Sequence, residues 1–169
     1  MALIYRDEDT VQQLAEDQPE LAGSCYTAVV FRWHDGFRQA GAFRQKMAGF
    51  CQKLGVSLYT YVYPNTFVVL VPSRGYAEWD RKLPQWKEWF YPEILAGIGM
   101  EEAFHRIYES YRFAKMALQA AGDRQVFCVH ADDMKLAFLL QSLDGAVRRR
   151  YCQDICHLLT DSDIHLLQA

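Results

Sequence analysis

No CxxC pair, no apolar run of membrane-spanning length and no excess of basic residues occur in this chain. Each absence excludes a class. Without CxxC spacing there is no zinc-ribbon pattern, and an odd count of 5 widely spaced cysteines does not describe a disulfide framework. A helix that crosses a bilayer takes roughly 18 consecutive apolar residues. No such stretch is present, and the acidic, polar residues 1–20 lack the apolar centre of a secretory signal. A cytoplasmic protein with no membrane contact is expected. The formal net charge of −3 gives no footprint for nucleic acid, because a self-sufficient DNA-binding domain carries a basic face. The one basic run, Arg148-Arg149-Arg150, reads as the solvated side of a helix.

What the chain does have is apolar mass. Of its 169 residues 51% are hydrophobic and 14% aromatic, enough to bury a sizeable core and to exclude global disorder. The length fits one domain, or one domain with a helical appendage. Residues 8–21 read as an amphipathic helix with Val11, Leu14 and Ala15 on one face. Tyr26 to Trp33 is a β-branched and aromatic run, the strongest strand signal present, and His34-Asp35-Gly36 is its turn. Ala42, Phe43, Met47, Phe50 and Leu54 recur at helical spacing up to Gly55, a natural stop. Leu58 to Tyr63 and Thr66 to Val71 form a hairpin around Pro64-Asn65.

Residues 76–91 are rich in Trp and Phe. Pro84 fits only a helix start, so a break is expected there, with Trp79, Trp86, Trp89 and Phe90 read as core. A strand over residues 94–98 ends in Gly97-Ile98-Gly99 and leads into a helix over residues 101–121. Glu101 and Glu102 favour that helix's N-terminus, its apolar face carries Phe104, Ile107, Tyr108, Tyr111, Ala114 and Leu118, and Gly122 stops it. Val126 to Val129 is a further strand, and Asp132 or Asp133 caps the helix that follows. A helix over residues 146–159 comes next, and the chain stops a turn and a half into another, as though cut from a larger protein.

The order β-α-β-β-α-β-α-β, followed by helices, predicts an α/β (α+β) domain. Its sheet is ferredoxin-like or nucleotide-cyclase-like with packed helices and a C-terminal helical extension. The expected division is a domain over residues 1–143 and a helical linker over 144–169.

Metal-dependent nucleotide chemistry needs acidic ligands fixed near the phosphates. In this topology they project from the end of the first strand and from the hairpin turn. The strand end offers Trp33-His34-Asp35 and the turn offers Pro64-Asn65-Thr66. One carboxylate stands where two or three are wanted. Gly97-x-Gly99 is a lone GxG and reads as close helix–strand packing rather than a phosphate loop. No GxSxG is present, and His34 beside Asp35 reads as a solvated polar pair. Cys152 and Cys156, with His157, lack a second pair of metal ligands and read as buried thiols. No catalytic residue, metal or cofactor is expected.

The hairpin resembles that of diguanylate cyclases, which carries GGDEF before a hydrophobic strand and a proline. Here Tyr63-Pro64-Asn65-Thr66-Phe67 stands in that place, followed by Val68-Val69-Leu70-Val71-Pro72, and only Phe67 keeps the signature. Trp33-His34-Asp35-Gly36-Phe37-Arg38 is similar to the D-x-D-x-F-K motif of those enzymes, with Trp33 in place of the first acid. The chain is more similar to the degenerate GGDEF-like domain of PucR/CdaR-type transcriptional regulators. The residues that carry this are Gly97-Ile98-Gly99, the run from Ser110-Tyr111 through Ala114 to Ala117-Leu118, Val126-Phe127, Leu139-Leu140-Gln141-Ser142-Leu143 and residues 158–163.

That resemblance implies a non-catalytic domain that relays effector sensing and self-associates as a homodimer, responding to a small-molecule effector. It also implies that DNA is contacted only through a helix-turn-helix C-terminal to this chain. The alternative is a stand-alone small-molecule or nucleotide-binding module in a cyclase-like cleft lined by Trp33, Asp35, Asn65 and Thr66. An enzyme using an unrecognised His/Cys site is a third reading.

Overall fold

The first strand dictates the layout. Cys25–Trp33 (β1) is buried through six consecutive residues from Tyr26 to Phe31, so both of its faces must be covered. It lies at the centre of a five-stranded mixed sheet of order β2-β3-β1-β4-β5, the others being Tyr59–Val62 (β2), Thr66–Pro72 (β3), Ile94–Ala103 (β4) and Cys128–His130 (β5). β2, β3, β1 and β4 pair antiparallel, and β5 joins β4 in parallel. The first four strands thus have the ferredoxin-like arrangement expected from their order, and a fifth extends it. The structure, a computed structural model, describes residue 13 and residues 16–33 and 40–134.

Side chains alternate across the sheet. Val29 and Phe31 of β1, Phe67, Val69 and Val71 of β3, and Ile94, Ala96 and Ile98 of β4 face one side. There they meet Ala40–Lys53 (α2), Ser73–Asp80 (α3) and Leu83–Phe90 (α4) through Phe43, Met47, Phe50, Trp79, Trp86 and Phe90. Edge-on ring contacts lock this layer, with Phe50 4.8 Å from Trp86 and Trp79 4.4 Å from Trp86. Ala28 and Val30 of β1 and Val68 and Leu70 of β3 face the other side, against Ile107–Asp123 (α5). No helix among the described residues is long and apolar enough to cross a membrane.

Helix ends follow local chemistry. Gly55, at φ +66°, closes α2: its N–H donates to Gln52 O at 3.1 Å, and Val56 N–H to Cys51 O at 3.0 Å. The break between α3 and α4 falls at Arg81-Lys82, and Pro84 sits in the first turn of α4, where its missing N–H is harmless. Trp79, Trp86 and Phe90 are core as expected, but Trp89 points outward at 54% exposure.

Four further expectations are corrected. The helix over residues 8–21 is interrupted at Gln18 (φ −134°, ψ 75°), because Pro19 excludes the helical conformation from the residue before it. A single turn, Pro19–Ala22 (α1), follows; most of residues 8–15 lie outside the described set. β4 does not stop at Gly99 but runs to Ala103, so Glu101 and Glu102 are strand residues paired with Thr27 and Tyr26 rather than a helix start. α5 begins at Ile107, after a 3-10 turn over Phe104–Arg106. Finally, α5 passes through Gly122 and ends at Asp123, and the left-handed residue is Gln125 at φ 53°.

Gln125 N–H donates to Gly122 O at 3.2 Å and Val126 N–H to Ala121 O at 3.0 Å, the same closure glycine provides at Gly55. A residue with a Cβ is strained in that region. Gln125→Gly is therefore expected to raise stability by about 1 kcal/mol, read as a higher midpoint in urea. A lower midpoint would show that the side chain, rather than the backbone, matters there. Asp132 and Asp133 lie in a 3-10 turn, Ala131–Met134. The helices and linker expected beyond it, with Arg148 to Arg150, Cys152, Cys156 and His157, lie outside the described residues.

Candidate functional site

β1 and the β2–β3 hairpin converge at one end of the sheet. The β1–β3 ladder closes at Arg32 opposite Thr66. Beyond it, Trp33 N–H donates to Asn65 O at 3.0 Å, and Asn65 Nδ2 donates back to Trp33 O at 3.0 Å. Asn65 thus clasps the end of β1 with its backbone and its side chain together. Thr66 Oγ1 donates to Asn65 Oδ1 at 3.5 Å, and the Tyr61 hydroxyl donates to Pro64 O. The turn's polar groups are spent on holding the turn.

Three of the four candidate lining residues, Trp33, Asn65 and Thr66, therefore meet at this corner, but on different faces. The Trp33 indole packs edge-on against Phe43, 5.2 Å between centroids, on the α2 side. Asn65 and Thr66 open to the α5 side. Asp35 lies outside the described residues, as do His34, Phe37 and Arg38. Phe67 is 1% exposed, stacks on Tyr59 at 5.4 Å and meets Phe43 edge-on at 6.3 Å. Its role is in the core. Tyr63 is 71% exposed.

On the α5 side the corner is concave. A depression of about 410 Å³ is lined by Arg32, Val62, Asn65, Thr66, Tyr111 and Lys115. A second, of about 330 Å³, shares Arg32, Tyr111 and Lys115 and continues along α5 past Arg112 and Gln119. Neither Arg32 nor Lys115 is singled out by the sequence pattern. Arg32 does carry a signal: it is the single charge in β1, next to the buried run Tyr26 to Phe31. Lys115 has no such signal, since a lysine on the exposed side of a helix is ordinary.

The glycines of β4 serve packing, as expected. A Cβ on Gly97 would lie 2.1 Å from Ala114 O, and one on Gly99 2.2 Å from Ser110 O, so α5 rests directly on the strand backbone. The Ser110 hydroxyl completes that contact. β1 and β4 slip register between Thr27 and Val29, a bulge that withdraws Ala28 N–H from the ladder. Ser110 Oγ accepts from Ala28 N–H at 2.8 Å and donates to Met100 O at 2.5 Å.

A second polar cluster sits where α3 meets β5. Tyr76 Oη is 3.4 Å from His130 Nδ1, and His130 Nε2 is 3.6 Å from Asp80 Oδ1. Burial pushes the Tyr76 phenol well above its usual range, reinforced by the negative charge of Asp80. Burial likewise pushes the Cys128 thiol up to about 12, and that of Cys51 in α2 to about 12. Thiols held neutral in this way are poor nucleophiles. Among the described residues no group of three or more His, Cys, Asp or Glu is placed to hold a metal ion.

No curated protein and no solved structure matches the chain significantly. The family model of the GGDEF-like domain does match, over residues 6–120, which takes in the whole sheet up to β4 and nearly all of α5. With most of its length matched, the chain belongs to the GGDEF-like domain family.

Proposed function

We propose that this chain is a non-catalytic regulatory module of the PucR/CdaR type, which relays effector sensing and self-associates as a homodimer. In this reading a C-terminal helix-turn-helix outside the chain contacts DNA. The observation that carries it is the clasp at the hairpin. At the position where a cyclase signature presents acids, this chain has Asn65, and its amide donates to Trp33 O at 3.0 Å. The turn's residues Tyr63 to Thr66 contain no carboxylate to hold a metal against a triphosphate. A group committed to fixing the hairpin against the central strand has become part of the frame. Such a frame suits a domain that transmits a change in packing.

Sedimentation equilibrium over a wide concentration range tests the self-association. Reversible dimer formation is the expected result. A chain that stays strictly monomeric at the highest attainable concentration contradicts the relay reading, because nothing would then couple one copy to another.

A further inference from the structure

We infer that the depression between α5 and the ends of β1 and β3 is a binding site for a small organic anion, one with two neighbouring phosphate or carboxylate groups. Its two contiguous parts, about 410 and 330 Å³, fall at the lower end of the range for small-molecule pockets. Among the described residues no aspartate or glutamate lines either part, although the chain as a whole is acidic at −3. The residues common to both parts are Arg32, Tyr111 and Lys115.

Neither shared cation is in an ion pair with a described residue. The ion pairs among the described residues are Lys82–Glu78, Arg106–Glu102, Arg112–Glu109 and His130–Asp80; none engages Arg32 or Lys115. Arg112, at the rim, is held 2.8 Å from Glu109 and so is partly neutralised. Lys115 Nζ rests over the Tyr111 ring, 5.6 Å from its centroid, which keeps the ammonium beside the depression. Arg32 projects from the end of a rigid central strand, and its planar fork suits bidentate contact with an oxyanion. Around these charges Gln119 adds a neutral hydrogen-bonding side chain, and Asn65 and Thr66, held by their own hydrogen bonds, complete the wall. Two cations from two elements on one concave wall match a ligand with two anionic groups better than a single charge.

The site does not depend on the relay reading, since a monomeric chain could still bind the anion. The test uses calorimetric titration of the full chain with inorganic pyrophosphate in one arm and malonate in the other. The proteins are the parent, Arg32→Gln, Lys115→Gln and the remote Lys82→Gln, each first shown to unfold at the parent's midpoint. Arg32 and Lys115 are both exposed, so loss of charge leaves the core intact. Saturable binding in one arm is expected, weakened at least tenfold by Arg32→Gln and by Lys115→Gln but unchanged by Lys82→Gln. Binding only in the pyrophosphate arm assigns a phosphate ligand, and binding only in the malonate arm a dicarboxylate. Absence of heat in both arms at millimolar probe, or binding weakened equally by all three variants, overturns the inference.

Discussion

Gly97→Ala is expected to cost at least about 3 kcal/mol of stability, beyond the usual range for an added methyl in a core. The new Cβ would meet Ala114 O at 2.1 Å, Leu118 N at 2.3 Å and Leu118 Cα at 2.7 Å. All three are backbone atoms of α5, so no rotamer change relieves the clash. The helix must lift from β4 or the strand must leave the sheet, and either exposes Ile107, Ala114 and Leu118. Gly99→Ala is expected to behave alike, with Ser110 O at 2.2 Å and Ser110 Oγ at 2.7 Å. Gly49→Ala is the contrasting case. It lies inside α2 with nothing within 4 Å of the added carbon, so helix propensity alone decides and stability should rise by up to about 1 kcal/mol. Urea unfolding of the three variants reads the comparison directly. A Gly97→Ala midpoint close to the parent's would mean that α5 does not rest on β4 as described.

Ser110→Ala is the second large effect, with an expected loss of about 1–3 kcal/mol from leaving the buried Ala28 N–H unpaired. The hydroxyl links the two sides of the β1–β4 bulge, accepting from Ala28 N–H at 2.8 Å and donating to Met100 O at 2.5 Å. Removing the oxygen leaves the Ala28 N–H unsatisfied in a position shielded from water; Ser110 is 0% exposed and Ala28 0%. The exposed Ser24, which donates to Glu20 O at 3.1 Å, provides the control, and Ser24→Ala should stay within about 0.5 kcal/mol. Hydrogen exchange adds a local readout, since the Ala28 amide should lose protection in Ser110→Ala. Unchanged protection at Ala28 would show that the amide finds another acceptor.

Both predictions concern a contact that the sequence shows only in part. Gly97-x-Gly99 reads correctly as close packing because the alternatives for a lone GxG are weak. The partner of that packing is not legible, since Ser110 and Ala114 look like any small residues on a helix. β1, α2, the hairpin and the break before Pro84 are legible for a common reason. Each rests on a local signal, such as the run Tyr26 to Trp33, the glycine at 55 or the prolines at 64 and 84. The misreadings arise where distant pairing decides. Glu101 and Glu102 carry a helix-start pattern, but the first residues of β1 continue the ladder beyond the bulge and hold them in the strand. Gln125 takes a left-handed conformation that glycine would have announced.

The candidate site divides along the same line. That Trp33, Asn65 and Thr66 meet follows from strand order, which element succession supplies. Which face each residue serves follows from the pleat at the end of β1. Arg32 and Thr66 turn towards α5, whereas Trp33 turns towards Phe43. Lys115 reaches the same depression only because α5 lies across that face. Its place could not be read without the register of β1 against β3 and β4.

The measurement that bears most directly on the central claim is a turnover assay with GTP and magnesium or manganese, analysed for linear and cyclic dinucleotide products. A hairpin turn whose Asn65 clasps Trp33, with no carboxylate from Tyr63 to Thr66, predicts no product above the protein-free blank. Product formation by the parent chain that is lost in Asn65→Ala would contradict the account. It would show that the clasped turn still performs chemistry.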